Sequence, residues 1–423
     1  MMISGLYPDP YPCNYTTFSS KKMHDILDWD IGIPSSEIVF SLCVIAFALE
    51  IMLLLFHFIG IIYAKYVLYQ KPSVNMSREE LPGVSILKPL VGVDPHLQDN
   101  LETYFNINYP KYELLLCVQL EGDPCLQVVE LLMTKYPDID AQLFIGGNKI
   151  GENPKMNNIM PGYKASKYEI VLISDSGIQA YSDILIDMVA RMGPKVGLVQ
   201  GLPFCTDRKG FPAVLEKVYF GGALARVYIS LSVLGINCVS GMSNLIRKCV
   251  LEEAGGLVEF AKYISEDFYM GEACVKSGYS MSLSYFPAMQ NAGNPSLQSF
   301  RSRMVRWTTV RLATSPATLI FEPLSECLPL GFFVSWAGWY LFNVDPRLFF
   351  VCHILQWFFL DYLQLMALQR EPVTFSKFDY ALAWTFREIM FIFYFLEGVF
   401  SKSVTWRTGS YRIKYGGYLE EIH

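Results

Sequence analysis

Asp123, in Gly122-Asp123-Pro124, and Asp175, in Asp175-Ser176-Gly177, each follow an apolar run of strand length. Farther on, Ser265-Glu266-Asp267-Phe268 puts adjacent carboxylates at what reads as a helix start, shortly after the glycine pair Gly255-Gly256. Taken singly, an aspartate after a strand favours a turn or caps a helix, and acidic residues in a first helical turn complement the helix dipole. Two aspartates at strand ends of one sheet point further. The charge of a diphosphate is commonly neutralised by a divalent cation held on carboxylate oxygens with phosphate completing its shell, and Asp175 is the natural ligand on the metal side. Downstream, Arg303-Met304-Val305-Arg306-Trp307 forms an R-x-x-R-W cluster just before the chain becomes apolar again. Alone, such a cluster would be a basic anchor with an interfacial tryptophan.

These groups need a scaffold, and residues 81–312 supply the pattern of one. Apolar runs of strand length occur at Val84–Leu87, Glu113–Val118, Ala141–Ile145, Glu169–Ile173 and Val196–Val199, with helical stretches between most of them. Alternation of this kind predicts an α/β domain with a mainly parallel sheet covered on both faces. In such sheets ligands bind beyond the carboxyl ends of the strands, where Asp123 and Asp175 fall.

The rest of the chain reads as membrane. Across 423 residues, 52% are hydrophobic and only 17% charged, below the roughly 25% charge of soluble domains. Residues 38–64 are almost unbroken apolar sequence, interrupted by Glu50 and His57, and about 20 such residues span a bilayer. No role is read for Glu50. The span lies too far from the N-terminus, and is too long, for a signal-peptide core. Lys65, Lys71 and Arg78 follow it closely, so the positive-inside rule places residues 1–37 in the lumen and the domain in the cytosol. On that topology the sequon Asn14-Tyr15-Thr16 is open to glycosylation and Asn75-Met76-Ser77 is not. Between 328 and 400 lie three further apolar segments, Leu328–Val344, Leu348–Leu368 and Tyr380–Phe400. The second contains Asp361 and the third Arg387, Glu388 and Glu397, so one is expected to be re-entrant or interfacial. Three crossings would put the tail, 401–423, in the lumen, whereas Lys402, Arg407, Arg412 and Lys414 favour the cytosol. A net charge of −6 gives no footprint for nucleic acid. The ten cysteines are scattered, with no C-x-x-C pair, which fits reduced thiols and excludes zinc spacing.

Three spaced aspartates followed by (Q/R)-x-x-R-W resemble the pattern of membrane glycosyltransferases of the GT-A fold. Longer stretches narrow the resemblance to the ceramide glucosyltransferase family: Leu87-Lys88-Pro89-Leu90-Val91-Gly92-Val93-Asp94-Pro95, Asn108 to Glu113, Phe144-Ile145-Gly146-Gly147, Met160-Pro161-Gly162-Tyr163, and Trp406 to Arg412. It covers nearly everything from Leu81 onward. One departure is visible: the family commonly has a histidine-proline pair shortly after Val-Tyr-Phe-Gly, whereas here Val218 to Gly221 is followed by Gly222-Ala223-Leu224-Ala225.

The resemblance implies transfer of glucose from UDP-glucose to the primary hydroxyl of ceramide with inversion, in the Golgi membrane. Inversion needs one base, and Asp267 is the choice. By the same analogy Asp123 contacts the uridine side, Lys155 the nucleotide, and Asp175 the diphosphate through Mg2+ or Mn2+. Arg303 and Arg306 would stabilise the leaving diphosphate while Trp307 packs at the acceptor end. The apolar stretch from Val218 to Leu234 suits either a surface facing the acyl chains or a buried helix. Competing readings are a processive polysaccharide synthase, for which the spans look too few, and a non-catalytic scaffold, which would be free to lose the carboxylates and arginines retained here.

Overall fold

The computed structural model describes residues 36–70, 77–369, 371–401, 403–406 and 409–422. Residues 1–35, Asn75, Lys402 and Arg407, on which the N-terminal extension, both sequons and part of the tail argument rest, lie outside them. Helix α1 (Ser36–Tyr63) continues through a π-helical turn at Ala64–Leu68. The domain then alternates β1 (Val84–Leu90), α2 (Leu97–Phe105), β2 (Tyr112–Val118), α3 (Cys125–Lys135), β3 (Ala141–Ile145), α4 (Pro154–Ala165) and β4 (Ile170–Ser174). Next come β5 (Ile178–Gln179), α5 (Ile184–Arg191), β6 (Val196–Gln200), β7 (Pro203–Cys205), α6 (Phe211–Tyr219), a second π-helical turn (Phe220–Leu224) and α7 (Ala225–Val233). The domain closes with β8 (Ser243–Arg247), α8 (Lys248–Glu253), α9 (Leu257–Phe260), α10 (Glu266–Lys276), β9 (Ser280–Leu283), β10 (Ala288–Gln290) and α11 (Leu297–Thr314). Helices α12 (Thr318–Leu324), α13 (Cys327–Phe342), α14 (Pro346–Gln369) and α15 (Lys377–Phe400) precede the tail strands β11 (Ser403–Trp406), β12 (Gly409–Lys414) and β13 (Tyr418–Glu421).

The large sheet has the order β3-β2-β1-β4-β8-β6-β9. It is mainly parallel, as the alternation predicts, but β8 runs antiparallel to both β4 and β6. That strand is absent from the apolar runs in the sequence because Ser243, Asn244 and Arg247 break its hydrophobicity, although four of its five residues are buried. Central strands such as β1 are covered on both faces, so they read as continuous apolar runs. Ile86 and Leu90 pack with Leu101, Leu114 and Leu116 on one side. Leu87 packs with Leu115, Met156 and Ile159 on the other. A small sheet, β5-β10-β7, stands beside it immediately after Asp175.

Among the described residues two helical stretches are long and apolar enough to cross a bilayer, Ser36–Leu68 and Pro346–Gln369, or three if the bent pair α12–α13, with an 81° break, counts as one. Their ends fix the directions. The Tyr69 hydroxyl, just after α1, donates to Leu368 O at the end of α14, and Lys217 of α6 donates to Gln369, so both helices finish against the domain. The opposite ends meet where Phe47 packs on Phe342 and Phe349. Helix α13 therefore leads away from the domain and α14 leads back. Helix α15 is not among those stretches, and it lies along α6 and α11 of the domain, with Phe211 against Phe386, Phe300 against Tyr394, and Arg301 paired to Glu397.

The tail stays on the domain side by contact. Gly416 N donates to Ala313 O (2.8 Å), Ile264 N to Gly417 O (3.0 Å) and Leu419 N to Lys262 O (2.9 Å), which clasps β12–β13 onto α11 and the segment between α9 and α10 of the domain.

Several charged groups inside the apolar helices are paired. Asp361, 1% exposed, accepts from Arg226 (3.0 Å), Trp384 (3.0 Å) and Arg387 (3.2 Å) and lies 3.2 Å from His57 Nε2. Glu50 lies 3.1 Å from His353 Nδ1, and the other ring nitrogen of His353 is 3.0 Å from Cys327 O. Glu50 is a packing group between α1 and α14, as polar residues in membrane helices tend to be. The stretch from Val218 to Leu234 forms α6, the π-helical turn and α7, with Phe220, Ala225 and Ile229 fully buried, and only its far end, Val233 and Leu234, exposed. It is chiefly a buried helix. The departure at Gly222 lies inside that packing: a Cβ on Gly221 would come 2.3 Å from the Leu365 side chain, and one on Gly222 would come 3.4 Å from the Asp361 carboxyl. The chain here packs closely against α14.

Candidate active site

Asp123 follows β2, and its carboxylate is nearly buried. It accepts from Gly92 N (3.0 and 2.9 Å) and from Cys125 N (2.9 Å), tying the loop after β1 to the start of α3. Gly92 has φ +65, a conformation that L side chains avoid, which lets its N–H turn inward to the carboxylate. The structure thus shows Asp123 ordering the loop at the carboxyl ends of β1 and β2.

Lys155 lies in the first turn of α4, capped by Asn153, whose side chain accepts from Lys155 N and Met156 N. The ammonium has three donors and uses all of them: Asp175 Oδ1 at 2.8 Å, Glu266 Oε1 at 2.9 Å and Gly241 O at 3.1 Å. Burial opposes its charge, but Asp175 and Glu266 more than compensate, so its pKa stands above the ordinary lysine value. Glu266 is fully occupied, its second oxygen accepting from Asn153 Nδ2 at 2.9 Å. Asp267 is different. One oxygen accepts from its neighbour Phe268 N (2.9 Å), and the other lies beside Gly241, where an added Cβ would stand 3.4 Å from it and 3.3 Å from Lys155 Nζ. Burial and the adjacent Glu266 push its pKa up to about 7, with Lys155 opposing. Adjacent carboxylates therefore divide: Glu266 anchors Lys155, and Asp267 is left as a half-buried carboxyl of base strength near neutrality.

Asp175, at the end of β4, keeps 43% of its side chain exposed while paired to Lys155. No cluster of three or more His, Cys, Asp or Glu side chains able to hold a metal occurs among the described residues. A cation bound by protein alone does not fit these residues. One that takes a single half-exposed carboxylate and completes its shell with phosphate and water does, as is common for Mg2+.

Strand β10 carries the arginine cluster to the same place. Gln290 pairs in register with Ile178, three residues after Asp175, and Gln290 Oε1 accepts from Arg303 Nη1 at 3.2 Å. Glu216 Oε1 lies 3.3 Å from the same nitrogen. Arg306 is one turn farther along α11 and half-buried. Trp307 packs on Tyr219 and Phe220, with centroids 6.2 and 6.1 Å apart, and the Arg303 guanidinium lies 5.8 Å from the Phe220 ring. Lys155, Asp175, Glu266 and Asp267 form one cluster, with Arg303 reaching the strand paired to the segment after Asp175. Asp123 stands at the end of β2, with β1 between it and the strand that carries Asp175, on the loop that it orders.

A residue with no role read from the sequence belongs here too. Lys88 is fully buried in β1, donates to Asp175 O at 2.6 Å and stands 3.8 Å over the Tyr104 ring. Burial draws its pKa down to about 7, Asp175 opposing. The signal was a lysine inside an otherwise apolar strand run, since a fully buried lysine requires a partner.

A mixed α/β domain with carboxylates, a lysine and arginines gathered at the strand ends, anchored by apolar helices, defines a membrane-bound group transferase. The chain belongs to glycosyl transferase family 21, whose model matches residues 52–419. It is 36% identical over 385 residues to "Ceramide glucosyltransferase 3" of Caenorhabditis elegans, covering 90% of this chain and 83% of that one. It is 27% identical to "Ceramide glucosyltransferase" of Komagataella phaffii, covering 88% and 92%. Among solved structures, a mannosyltransferase from Pyrobaculum calidifontis in complex with GDP-Man and Mn2+ superposes with a TM-score of 0.45 at 17% identity, over 85% of this chain and 96% of that one.

Proposed function

We propose that this chain transfers a single glucose from UDP-glucose to the primary hydroxyl of ceramide with inversion, giving glucosylceramide. The observation that carries the reading is the division at Lys155: Glu266 and Asp175 are tied to it, while the half-buried Asp267, its pKa near neutrality, is not. The ceramide hydroxyl oxygen attacks the anomeric carbon as the bond to UDP breaks. Its proton passes to Asp267, and the bonding electron pair leaves on the diphosphate. Arg303 and Arg306 stabilise that charge, Trp307 lines the acceptor side, and Asp123 orders the loop at the uridine end. Asp175 would hold a divalent cation, Mg2+ or Mn2+, which when bound neutralises the diphosphate. A processive synthase needs a helix-lined passage, and two or three apolar spans are few for one. Membranes carrying the chain, offered labelled UDP-glucose and ceramide, are expected to yield one monohexosyl lipid. A polymer, or no lipid product, defeats the proposal.

Asp175→Ala is expected to raise the KM for UDP-glucose by at least roughly tenfold, with exhaustive chelation suppressing turnover, because a ligand loss costs no less than an outer-shell loss. Full activity after chelation rules out the metal.

The proposed setting is the Golgi membrane with the domain in the cytosol. It rests on the charges after α1. In sealed vesicles a tag after the tail is expected to be as accessible to protease as the domain, because β12–β13 bind the domain. Asn14 is expected to be open to glycosylation. A glycan on Asn75 would reverse the orientation.

A further inference from the structure

Helix α7 belongs to the domain by sequence, yet it runs down the side of α1. A Cβ added to Gly60 of α1 would stand 3.6 Å from Arg226 Cα in the first turn of α7. One turn on, Ser230 Oγ donates to Phe56 O at 3.0 Å. Four residues of α7 match four of α1 taken in reverse, so the two helices are antiparallel and in step. At about 1.5 Å per residue, Ser230 lies about 6 Å farther from the domain end of α1 than Arg226 does, and Leu234 about 6 Å farther again, level with Met52. Gly60, Phe56 and Met52 all belong to the apolar stretch Ser36–Leu68 that is long enough to cross the bilayer.

The far end of α7 has the surface that this depth requires. Val233, Leu234 and Ile236 are 46%, 53% and 49% exposed, and at the same height on α1 Met52 and Leu55 are 41% and 53% exposed. No charged residue occurs between Arg226 and Arg247, and Arg226 itself is paired with Asp361 at 3.0 Å. The backbone is closed as well. Gly235 takes the left-handed cap position with φ +72; its N–H donates to Ser232 O (3.1 Å), and Ile236 N donates to Leu231 O (2.9 Å), the two bonds of a Schellman cap. Non-helical backbone at membrane depth is tolerated where protein covers it, and the returning segment 237–240 is covered. Gln200, itself buried, donates to Cys238 O (2.8 Å) and accepts from Ser240 N (3.2 Å), while Asn237 Nδ2 donates to Phe268 O (2.9 Å).

We propose that residues 233–236 are a re-entrant tip of the catalytic domain, inserted among the acyl chains of the leaflet nearest the domain, beside α1. The occupant of this apolar surface is the bilayer, because the surface continues the lipid-facing side of α1 at the same depth. Nine residues of helix are too few to cross, so the chain turns back at Gly235. The return ends at the base: Asn237 holds the α10 backbone at Phe268, and Gly241 lies beside the Asp267 carboxylate. Insertion of the tip thereby sets the height of the first turn of α10 above the hydrocarbon.

The test uses the full chain in phosphatidylcholine nanodiscs that carry one of two photoactivatable phosphatidylcholines, with a diazirine either midway along an acyl chain or on the headgroup. After irradiation, trypsin releases residues 227–247, cut at Arg226 and Arg247, and residues 112–135, cut at Lys111 and Lys135. The first peptide carries the tip. The second carries Leu120 and Leu131, 62% and 54% exposed, toward the opposite edge of the sheet. The acyl-chain probe is expected to label α1 and residues 233–236 and to leave residues 112–135 unlabelled. Leu234→Asp is expected to lower the yield on residues 227–247 at least roughly tenfold, because hydrocarbon expels a carboxylate, and Leu131→Asp to change no yield. Labelling of the tip by the headgroup probe alone puts it at the surface, and labelling by neither probe while α1 is labelled puts it in water or under a second copy of the chain; either result overturns the insertion. Wild type decides this by itself if Leu234→Asp does not fold. An α1 that is also unlabelled overturns the span from which the depth is measured.

Discussion

Asp267→Asn is expected to lower turnover by roughly 10²–10⁴-fold, the usual contribution of a positioned base, with the KM for UDP-glucose nearly unchanged. The amide preserves the shape and still accepts from Phe268 N, but cannot take the hydroxyl proton. The substitution also leaves Lys155 bound to Asp175, Glu266 and Gly241, so the cluster itself stays assembled. The wild-type pH profile should carry the same signature. Burial and Glu266 raise the Asp267 pKa to about 7. A base works only when ionised, so kcat/KM should be level above about pH 7 and fall toward tenfold per pH unit below it. The fall should be absent from the residual activity of the variant. Turnover within a fewfold of wild type in Asp267→Asn, or an acid limb unchanged by the substitution, would remove Asp267 from the reaction.

The second large effect is on stability. Asp361→Ala leaves Arg226 and Arg387, 1% and 5% exposed, facing each other without the carboxylate that both bind, and strips Trp384 Nε1 of its acceptor. Breaking a buried pair by removing one member costs about 3–5 kcal/mol, because a charge remains buried and uncompensated. Arg301→Ala, by contrast, breaks a pair with Glu397 whose side chains are 54% and 40% exposed, and such pairs contribute roughly 0–1 kcal/mol. Thermal unfolding in detergent should therefore show Asp361→Ala far below wild type and Arg301→Ala close to it. Similar melting points for these two variants would mean that the Asp361 cluster is solvated, or otherwise without consequence for the fold.

Much of the organisation was legible in the sequence for simple reasons. A span as apolar as the one from Ile38 to Ala64 has no soluble alternative, and strand-length runs such as Glu113–Val118 mark a sheet buried on both faces. Asp123 and Asp175 could be placed at strand ends because polarity changes abruptly there. Periodicity could not find β8, whose Ser243, Asn244 and Arg247 are polar although most of the strand is buried by its neighbours β4 and β6. The direction of the C-terminal helices was undecidable from hydropathy, since α15 is apolar enough to resemble a span yet buries Arg387 and Glu388 and lies on α6 and α11.

Only the tertiary structure decided how the polar groups are shared. Glu266 and Asp267 are adjacent in sequence, and helix geometry sends them in different directions: one to Lys155 and Asn153, the other to the backbone at Phe268 and Gly241. Arg226 and Asp361 are separated by 135 positions and become a pair at 3.0 Å through the packing of α7 on α14. Lys88 is a strand residue like any other until β4 brings the Asp175 carbonyl within 2.6 Å of it. Sequence determines which segments must leave water, because transfer free energy is a property of local composition. Which charges meet once they have left depends on long-range packing, and the cost of leaving a buried charge unpaired makes those meetings specific.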